Sequence, residues 1–208
     1  MKKIMIIIYV LFGIGNSGSA QQKGDVEFGA NLGGNFATIT QDDNSRSDFN
    51  FNINAGVFAD CYFSEQWSVK AKLIYDRKGG DKINVVFENY PDFKLVTDFK
   101  LDYITLPLMI NWHFGETRKW YVGLGPYVGF LMSAEESELG LNIEDEFLKT
   151  DWGIAFGFGY KIPISDTVKL FFEYDGQSSV ANISKYNKEQ KYLNSRSALN
   201  VGVSIQLK

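Results

Sequence analysis

The residue types best suited to catalysis are scarce in this chain. Among its 208 residues, His113 is the only histidine and Cys61 the only cysteine, which excludes a metal site built from several histidines and an internal disulfide. Cys61 lies between Ala59 and Phe63 in an apolar alternation and is interpreted as a small hydrophobic side chain. No nucleophile motif accompanies His113. We therefore expect no catalytic residue, no metal site and no cofactor.

One acidic segment has the oxygen ligands that a hard cation such as Ca²⁺ prefers. Its spacing matches no cation-binding loop that we can justify, so a solvated acidic loop is the simpler interpretation and cation binding stays open. The acidic residues are Glu135, Glu136, Glu138, Glu144, Asp145 and Glu146.

The glycines of WYVGLGPYVGFLM, from Trp120 to Met132, resemble a phosphate-binding loop at first sight. Such a loop needs a strand before it and a helix after it. Here the apolar residues occupy every second position through the whole stretch, which is the period of a strand. The stretch is therefore predicted to be one β-strand with a glycine-rich face, and no phosphate site.

The same period of two recurs along the chain and predicts eight strands and no helix. Three predicted connections are short: Ser64 to Gln66, Gly115 to Lys119 and Pro163 to Thr167. Four are long: Thr40 to Asn50, Arg77 to Thr97, Ser133 to Lys149 and Gly176 to Arg196. Short turns at one end and long loops at the other are typical of an antiparallel up-and-down transmembrane β-barrel.

The composition of the two strand faces bears on which face is outside. A soluble eight-stranded barrel would turn its large apolar side chains inward. In this chain the second face is rich in glycine, alanine, asparagine and charges, which suits the narrow lumen of a membrane barrel better than a solvated surface. Buried charges need partners. We expect pairing across the lumen between two sets: Lys70, Lys72, Lys161 and Lys169, and Glu27, Asp60, Glu173 and Asp175.

Aromatic residues flank the predicted strands at two levels, as in the girdles that bound the apolar band of a membrane barrel. One girdle is predicted near the short turns and the other at the long-loop ends. The first contains Phe63, Trp67, Trp112, Phe114 and Trp120, and the second Tyr75, Met132 and Trp152.

Two irregularities are predicted within the strands. At Tyr103–Ile104 the apolar parity slips by one residue, for which a β-bulge is the simplest cause. If Phe114 pairs with Trp120, Pro126 lies opposite Leu108, directly beside Pro107. Because proline cannot donate to the ladder, we expect a bulge or a weak seam there.

The amino terminus predicts export. Lys2 and Lys3 precede an apolar run and a small-residue cleavage site ending at Ala20, which is the pattern of a signal peptide over residues 1–20. The remaining residues 21–208 form one predicted barrel domain. The formal net charge of −4 gives no basic face for nucleic acid.

Several of these stretches together resemble the PorT-like small outer-membrane β-barrel proteins of Bacteroidota, a Gram-negative group. The resemblance covers nearly all of residues 21–208 and implies an eight-stranded barrel in the outer membrane, with little about activity. Barrels of this kind often end in an aromatic residue, whereas this chain ends in Leu207–Lys208. The stretches that carry the resemblance are YITLPLMINWHFG from Tyr103, YVGLGPYVGFLM from Tyr121, DWGIAFGFGYKI from Asp151, FFEYDGQSSVANI from Phe171 and NVGVSIQLK from Asn200.

Two functions follow as expectations. The first is a structural or surface-interaction role, in which the barrel presents its loops outside and assists secretion or envelope assembly. The alternative is a narrow porin-like channel for small solutes, although Tyr121, Tyr127 and Phe171 would help to fill an eight-stranded lumen. The expected partners are outer-membrane lipid and lipopolysaccharide, with an envelope or secretion protein. The barrel is expected to be monomeric, not to be an enzyme, and to bind no nucleic acid.

Overall fold

A computed structural model of the chain describes residues 23–41, 46–87, 90–186 and 191–207. The predicted signal peptide, residues 1–20, lies outside this part. The eight strands are β1 Val26–Gln41, β2 Asn50–Tyr62, β3 Trp67–Phe87, β4 Tyr90–Phe114, β5 Trp120–Glu136, β6 Thr150–Pro163, β7 Val168–Ser179 and β8 Tyr192–Leu207. Within the described residues, the 3₁₀ turn Glu144–Glu146 is the sole helical element, and no helix is long and apolar enough to cross a membrane.

The strands form one closed barrel in which each strand pairs antiparallel with the next and β1 pairs with β8. The closing ladder runs without a register shift from Val26–Leu207 to Gln41–Tyr192. This architecture confirms the predicted eight-stranded up-and-down barrel. We call the end with connections 63–66, 115–119 and 164–167 the short-turn end, and the opposite end the long-loop end.

Two of the predicted long loops are shorter than expected because the strands continue into them. β3 and β4 remain paired as far as Phe87 and Tyr90, so most of the predicted loop Arg77 to Thr97 is a ribbon of two strands. β7 likewise continues to Ser179 and β8 begins at Tyr192. In the sequence of the β3–β4 ribbon, Ile83, Val85 and Phe87 keep the parity of Tyr75, and Phe99, Leu101 and Tyr103 alternate in the returning strand.

The two faces of the wall differ as the sequence indicated. Large apolar side chains such as Leu124, Ile154 and Val201 are exposed on the outside. Glycines allow large lumen side chains to cross the interior: a Cβ on Gly159 would overlap the Tyr121 ring, and a Cβ on Gly202 would overlap the Phe171 ring. Glycine at these two positions therefore provides space for aromatic rings that fill the lumen.

Aromatic rings cluster at the short-turn end of the outer surface. Trp112 stacks on Phe114 at a centroid distance of 5.0 Å and lies 6.4 Å from Trp67. Trp120 packs against Phe158 at 5.4 Å. At the long-loop end, the exposed aromatic residues include Phe36, Phe51, Tyr75, Phe130 and Trp152.

The bulge expected at Tyr103–Ile104 is present at that level, but the extra residue belongs to the neighbouring strand. β4 keeps its alternation, and Leu101 and Tyr103 both point inward and are fully buried. The register shift leaves Met132 of β5 without an opposite residue. The pairs on either side of it are Asp102–Ser133 and Tyr103–Leu131. The slip in apolar parity thus has another cause: β4 turns apolar residues inward near the long-loop end.

The predicted proline seam is confirmed as a gap in the ladder without a bulge. β4 and β5 pair as far as Ile110–Leu124 and resume at Pro107–Tyr127 in an unchanged register, which places Pro126 opposite Leu108 within the gap of this ladder. On the other side of β4, the ladder to β3 is interrupted between the pairs Ala71–Leu108 and Ile74–Thr105. Both ladders therefore lose hydrogen bonds beside the same proline, Pro107.

Candidate functional site

The lumen at the short-turn end holds a compact ion-pair cluster. Lys161 Nζ of β6 lies 2.6 Å from Glu27 Oε2 of β1 and 3.2 Å from Asp60 Oδ2 of β2. Lys169 of β7 pairs with the other oxygen of Glu27, and the Tyr62 hydroxyl lies 2.8 Å from Lys161 Nζ. Because the residues come from four strands, the cluster joins opposite walls of the barrel.

The middle of the lumen is organised around Glu173 of β7. Its two carboxylate oxygens accept from Lys70 Nζ at 2.8 Å and Lys72 Nζ at 2.6 Å. Lys72 also donates to Asp175 at 2.7 Å, and the Tyr121 hydroxyl donates to Glu173 at 2.7 Å. These groups are all buried, so the pairs lie in a low-dielectric interior where an unpaired charge is costly.

Arg196 of β8 connects the middle of the lumen to β3. Its Nη1 donates to Asp175 Oδ1 at 2.6 Å, and its Nε lies 2.9 Å from Asp76 Oδ1 in an ion pair whose angle is unsuited to a directed hydrogen bond. Nearer the long-loop end, Lys78 Nζ donates to Asp151 at 3.0 Å and lies 4.5 Å from the ring centre of Tyr127. The charged network thus extends through most of the lumen.

The buried ion pairs of the described lumen balance in charge. Six cations and six carboxylates take part, so these ion pairs together carry no net charge. The cations are Lys70, Lys72, Lys78, Lys161, Lys169 and Arg196, and the anions are Glu27, Asp60, Asp76, Asp151, Glu173 and Asp175.

The long-loop end is closed by a different kind of structure, an apolar cluster that we call the cap. Residues from four strands and two loops are packed there with little or no exposure. The residues of the cap are Ile39, Ile83, Leu101, Tyr103, Leu131, Ala134, Phe147 and Ile183. The Tyr103 ring lies 5.1 Å from Lys78 Nζ, so the cap contacts the charged network directly.

Two loops hold the cap in place through backbone hydrogen bonds between them. We call residues 137–149 the L3 loop and the described residues 180–186 the L4 loop. The amide of Leu148 donates to the carbonyl of Ile183 at 2.8 Å, and the amide of Lys185 donates to that of Glu146 at 2.9 Å. This short ladder sets Phe147 and Ile183 over the mouth of the barrel.

The acidic segment around L3 orders the loop rather than forming a cluster. The Glu136 carboxylate accepts hydrogen bonds from the amides of Glu138 at 2.7 Å and Leu139 at 2.8 Å, which fixes the hairpin tip. Glu144 pairs with Lys149. Among the residues that the structure describes, no three His, Cys, Asp or Glu side chains are arranged to hold a metal ion.

His113 and Cys61 lie on opposite faces of the wall. His113 faces the lumen near the short-turn end, as predicted, and its Nε2 is 2.9 Å from the buried hydroxyl of Ser68. A catalytic triad would need a carboxylate at Nδ1, and that nitrogen has no hydrogen-bond partner among the described residues. Cys61 lies on the apolar outer face, as predicted, and is exposed there.

The predicted charge pairing is confirmed for all four lysines and all four carboxylates. The sequence prediction missed Lys78 and Arg196 as members of the network, because both fell inside predicted loops. Arg196 shares the parity of Ala198 and Asn200, which was the available signal that β8 begins earlier.

Comparison with known proteins agrees with this architecture. The profile of the outer membrane protein beta-barrel domain matches residues 19–185. The fold is similar to the outer membrane protein OprG of Pseudomonas aeruginosa, with a TM-score of 0.53, 13% identity and coverage of 90% of this chain and 98% of that one. It is also similar to Neisserial surface protein A, with a TM-score of 0.50, 17% identity and coverage of 86% and 96%. No curated protein matches the sequence.

Proposed function

We propose a function on the premise that this chain belongs to the outer membrane protein beta-barrel domain family and lies in the outer membrane. In this proposal the barrel is a closed anchor, and its role is to present ordered loops at the cell surface to another protein of the envelope or secretion apparatus. Export by the signal peptide and membership of the PorT-like group of Bacteroidota belong to the same proposal.

The filled lumen is the observation that carries the proposal. An eight-stranded barrel has an interior just wide enough for side chains to fill. Here Tyr121, Phe171 and the six ion-paired cations occupy it, and the cap lies across its mouth. A channel would need a continuous aqueous path, which buried charges paired with one another do not provide.

The ordered loops support the interaction part of the proposal. A purely passive anchor has no need of the L3–L4 ladder. It also has no need of the hydrogen bonds that the Glu136 carboxylate accepts from amides at the L3 tip. That tip exposes Leu139 and Leu141, and L4 exposes Tyr186. Tyrosine is enriched in protein interfaces, and exposed apolar patches mark protein contact sites.

Conductance of the purified protein in planar bilayers separates the anchor from the channel. We expect no steady conductance steps, because the lumen is filled. Steady open channels would overturn the proposed anchor and favour the porin-like alternative.

Cross-linking in intact cells tests the interaction. A photoreactive residue at Leu141 in the L3 tip is expected to form one specific cross-linked product. The matched control is the same residue at Glu65 in a short turn, which is also exposed but lies at the opposite end of the barrel. Identical products from both positions, or none from Leu141, would contradict a surface-interaction role for L3.

The absence of an enzymatic role is also a proposal. The Ser68–His113 pair is the arrangement closest to a catalytic site in the described lumen, and its lack of an orienting carboxylate argues against catalysis. A barrel that forms without a second copy is part of the same proposal, since β1 and β8 close the sheet within one chain.

A further inference from the structure

A groove runs along the outer surface of the barrel, where a simple barrel wall would be convex. Two adjoining hollows of about 740 and 660 Å³ lie over β8, β1, β2, β3 and β4. They share Ala30, Val57, Leu73 and Val203, so they form one continuous depression. We call this depression the outer groove.

The strand register explains the groove. Ala59 of β2 and Ala71 of β3 pair with each other, and Phe28 of β1 pairs with Ala59. One row further on, Ala30 pairs with Val57. Small side chains therefore form the floor, while large ones such as Phe28, Leu73 and Leu106 form the sides.

On β3 and β4 the groove runs from the middle of the apolar band towards the long-loop end. On β3 the outward residues follow one another from Trp67 in the short-turn girdle to Tyr75 in the other girdle. Ala71 is midway between them, and the second hollow reaches Tyr75 and Ile104. With the long loops outside, the end of the groove at Tyr75 and Ile104 faces the outer leaflet.

Charged side chains lie just beyond the outer end of the groove. The next outward residue after Tyr75 is Arg77, whose Nε and Nη2 donate to Asp102 at 2.6 and 2.8 Å. The Arg77 side chain is still 37% exposed, and a guanidinium has five N–H donors, of which this contact engages two. Lys100 lies one outward position further along β4 than Asp102.

We propose that the outer groove binds one lipid of the outer leaflet, with an acyl chain in the groove and a phosphate of its headgroup at Arg77. A flexible chain can follow an apolar floor of alanines, and arginine is well suited to bind phosphate oxygens. A second barrel is a poorer occupant, because its own outer wall is convex and would contact only the sides of the groove.

This site goes beyond the proposed function, since it depends on the membrane location and not on whether the lumen conducts. A conducting barrel would overturn the anchor and leave the lipid site standing. A closed barrel that binds no lipid would leave the anchor standing and overturn the lipid site.

Native mass spectrometry of the detergent-solubilised full-length protein tests the site with dioleoylphosphatidylglycerol as the probe. We expect the wild type to retain one lipid. Ala71→Phe, which fills the floor, should weaken retention about tenfold, equivalent to about 1.4 kcal/mol. Val122→Phe is the matched control, because it adds a ring to the exposed outer face of β5, away from the groove.

Two further variants complete the experiment. Ala59→Phe fills the same floor from β2 and guards against a folding defect in Ala71→Phe, with heat-modifiable gel migration reporting that each barrel has formed. Arg77→Gln should reduce retention of the phosphate-bearing lipid to that of dioleoylglycerol, which has the same chains without phosphate.

Three results would overturn the proposal. Equal lipid retention by Ala71→Phe, Ala59→Phe and Val122→Phe would exclude the groove as the binding site. Unchanged discrimination between the two lipids in Arg77→Gln would exclude the phosphate contact. A dimer in the wild type that Ala71→Phe abolishes would identify a second copy as the occupant instead.

Discussion

The two ends of the interior are closed by opposite kinds of chemistry. Towards the short-turn end and through the middle, twelve charged side chains pair with one another across the lumen. At the long-loop end, the cap consists of apolar side chains. The charged part is built almost entirely on strands, whereas the cap depends on the L3 and L4 loops.

This difference predicts how substitutions in each region affect the stability of the protein. A charge in the lumen cannot lose its partner without a large penalty, because the strands that carry it are fixed by the ladder on both sides. A loop can move away from the cap and expose apolar surface without breaking the barrel. We therefore expect changes in the charged lumen to weaken the whole barrel and changes in the cap to act locally.

The largest effect is expected from Glu173→Gln. This substitution removes the carboxylate that Lys70 and Lys72 share, so the buried charge of Lys70 loses the carboxylate with which it pairs. Breaking a buried pair in this way costs about 3–5 kcal/mol, which urea unfolding in lipid vesicles would measure. The control Glu65→Gln removes the partly exposed pair with Arg118 and should cost at most about 1 kcal/mol. Equal losses for the two variants would contradict a stabilising role for the network.

Phe147→Ala is the corresponding change in the cap. Truncation of a buried phenylalanine costs about 3 kcal/mol at the lower end of its range. Because Phe147 lies in L3, we expect this cost to appear as faster proteolysis of L3 and L4, with a smaller change in the urea midpoint of the barrel. Leu148→Ala, at the exposed neighbouring position, should leave the proteolysis rate unchanged. A shift of the urea midpoint as large as that of Glu173→Gln would show that the cap and the lumen unfold together as one cooperative unit.

The wall around the charged lumen is expected to have one weak place at the proline seam. Pro126 has no N–H to donate opposite Leu108 in the gap of the β4–β5 ladder, whereas Ile110 and Leu124 are paired. One missing hydrogen bond of about 1 kcal/mol corresponds to about fivefold faster amide exchange. Exchange measured by NMR in micelles should show this ratio between the amide of Leu108 and those of Ile110 and Leu124, and equal protection would contradict a weak seam.

The smallest expected effect concerns pH at the outer rim. Partial burial, together with the nearby Asp98 and Asp48 carboxylates, raises the pKa of Asp81. The folded state therefore holds this proton more tightly than the unfolded state, so the Asp48–Asp81 bridge should become more stable as the pH falls through the folded-state pKa. Amide protection factors at Asp48 and Asp81 should rise on acidification, and Asp81→Asn should abolish the rise. A fall in protection on acidification would contradict this assignment.

The alternation of residues predicted the barrel and most of the lumen, because strand parity alone decides which side chains face inward. Lys78 and Arg196 were missed because both lie inside stretches that were predicted as loops, where the strands continue. Cross-lumen partners such as Lys161 and Glu27 are 134 positions apart, and their contact depends on the stagger of β6 and β1 around the ring. Which lysine meets which carboxylate therefore requires the structure.

The cap could not be read from the sequence for a different reason. Leu101 and Tyr103 are apolar whether they face lipid or the interior, and a period of two cannot distinguish these environments. The inward turn of apolar residues near the long-loop end was accordingly interpreted as a bulge in β4. The L3 and L4 residues of the cap come from irregular segments, which have no period to reveal their burial.

Conductance of a barrel with an opened cap tests the central claim, that the charged lumen closes the barrel by itself. In the double variant Phe147→Ala and Ile183→Ala, the cap loses the loop side chains that cover the mouth, while every lumen ion pair remains. In planar bilayers we expect this variant to show no steady conductance, like the wild type. Steady conductance steps in the double variant would contradict the account and show that the cap is the only seal.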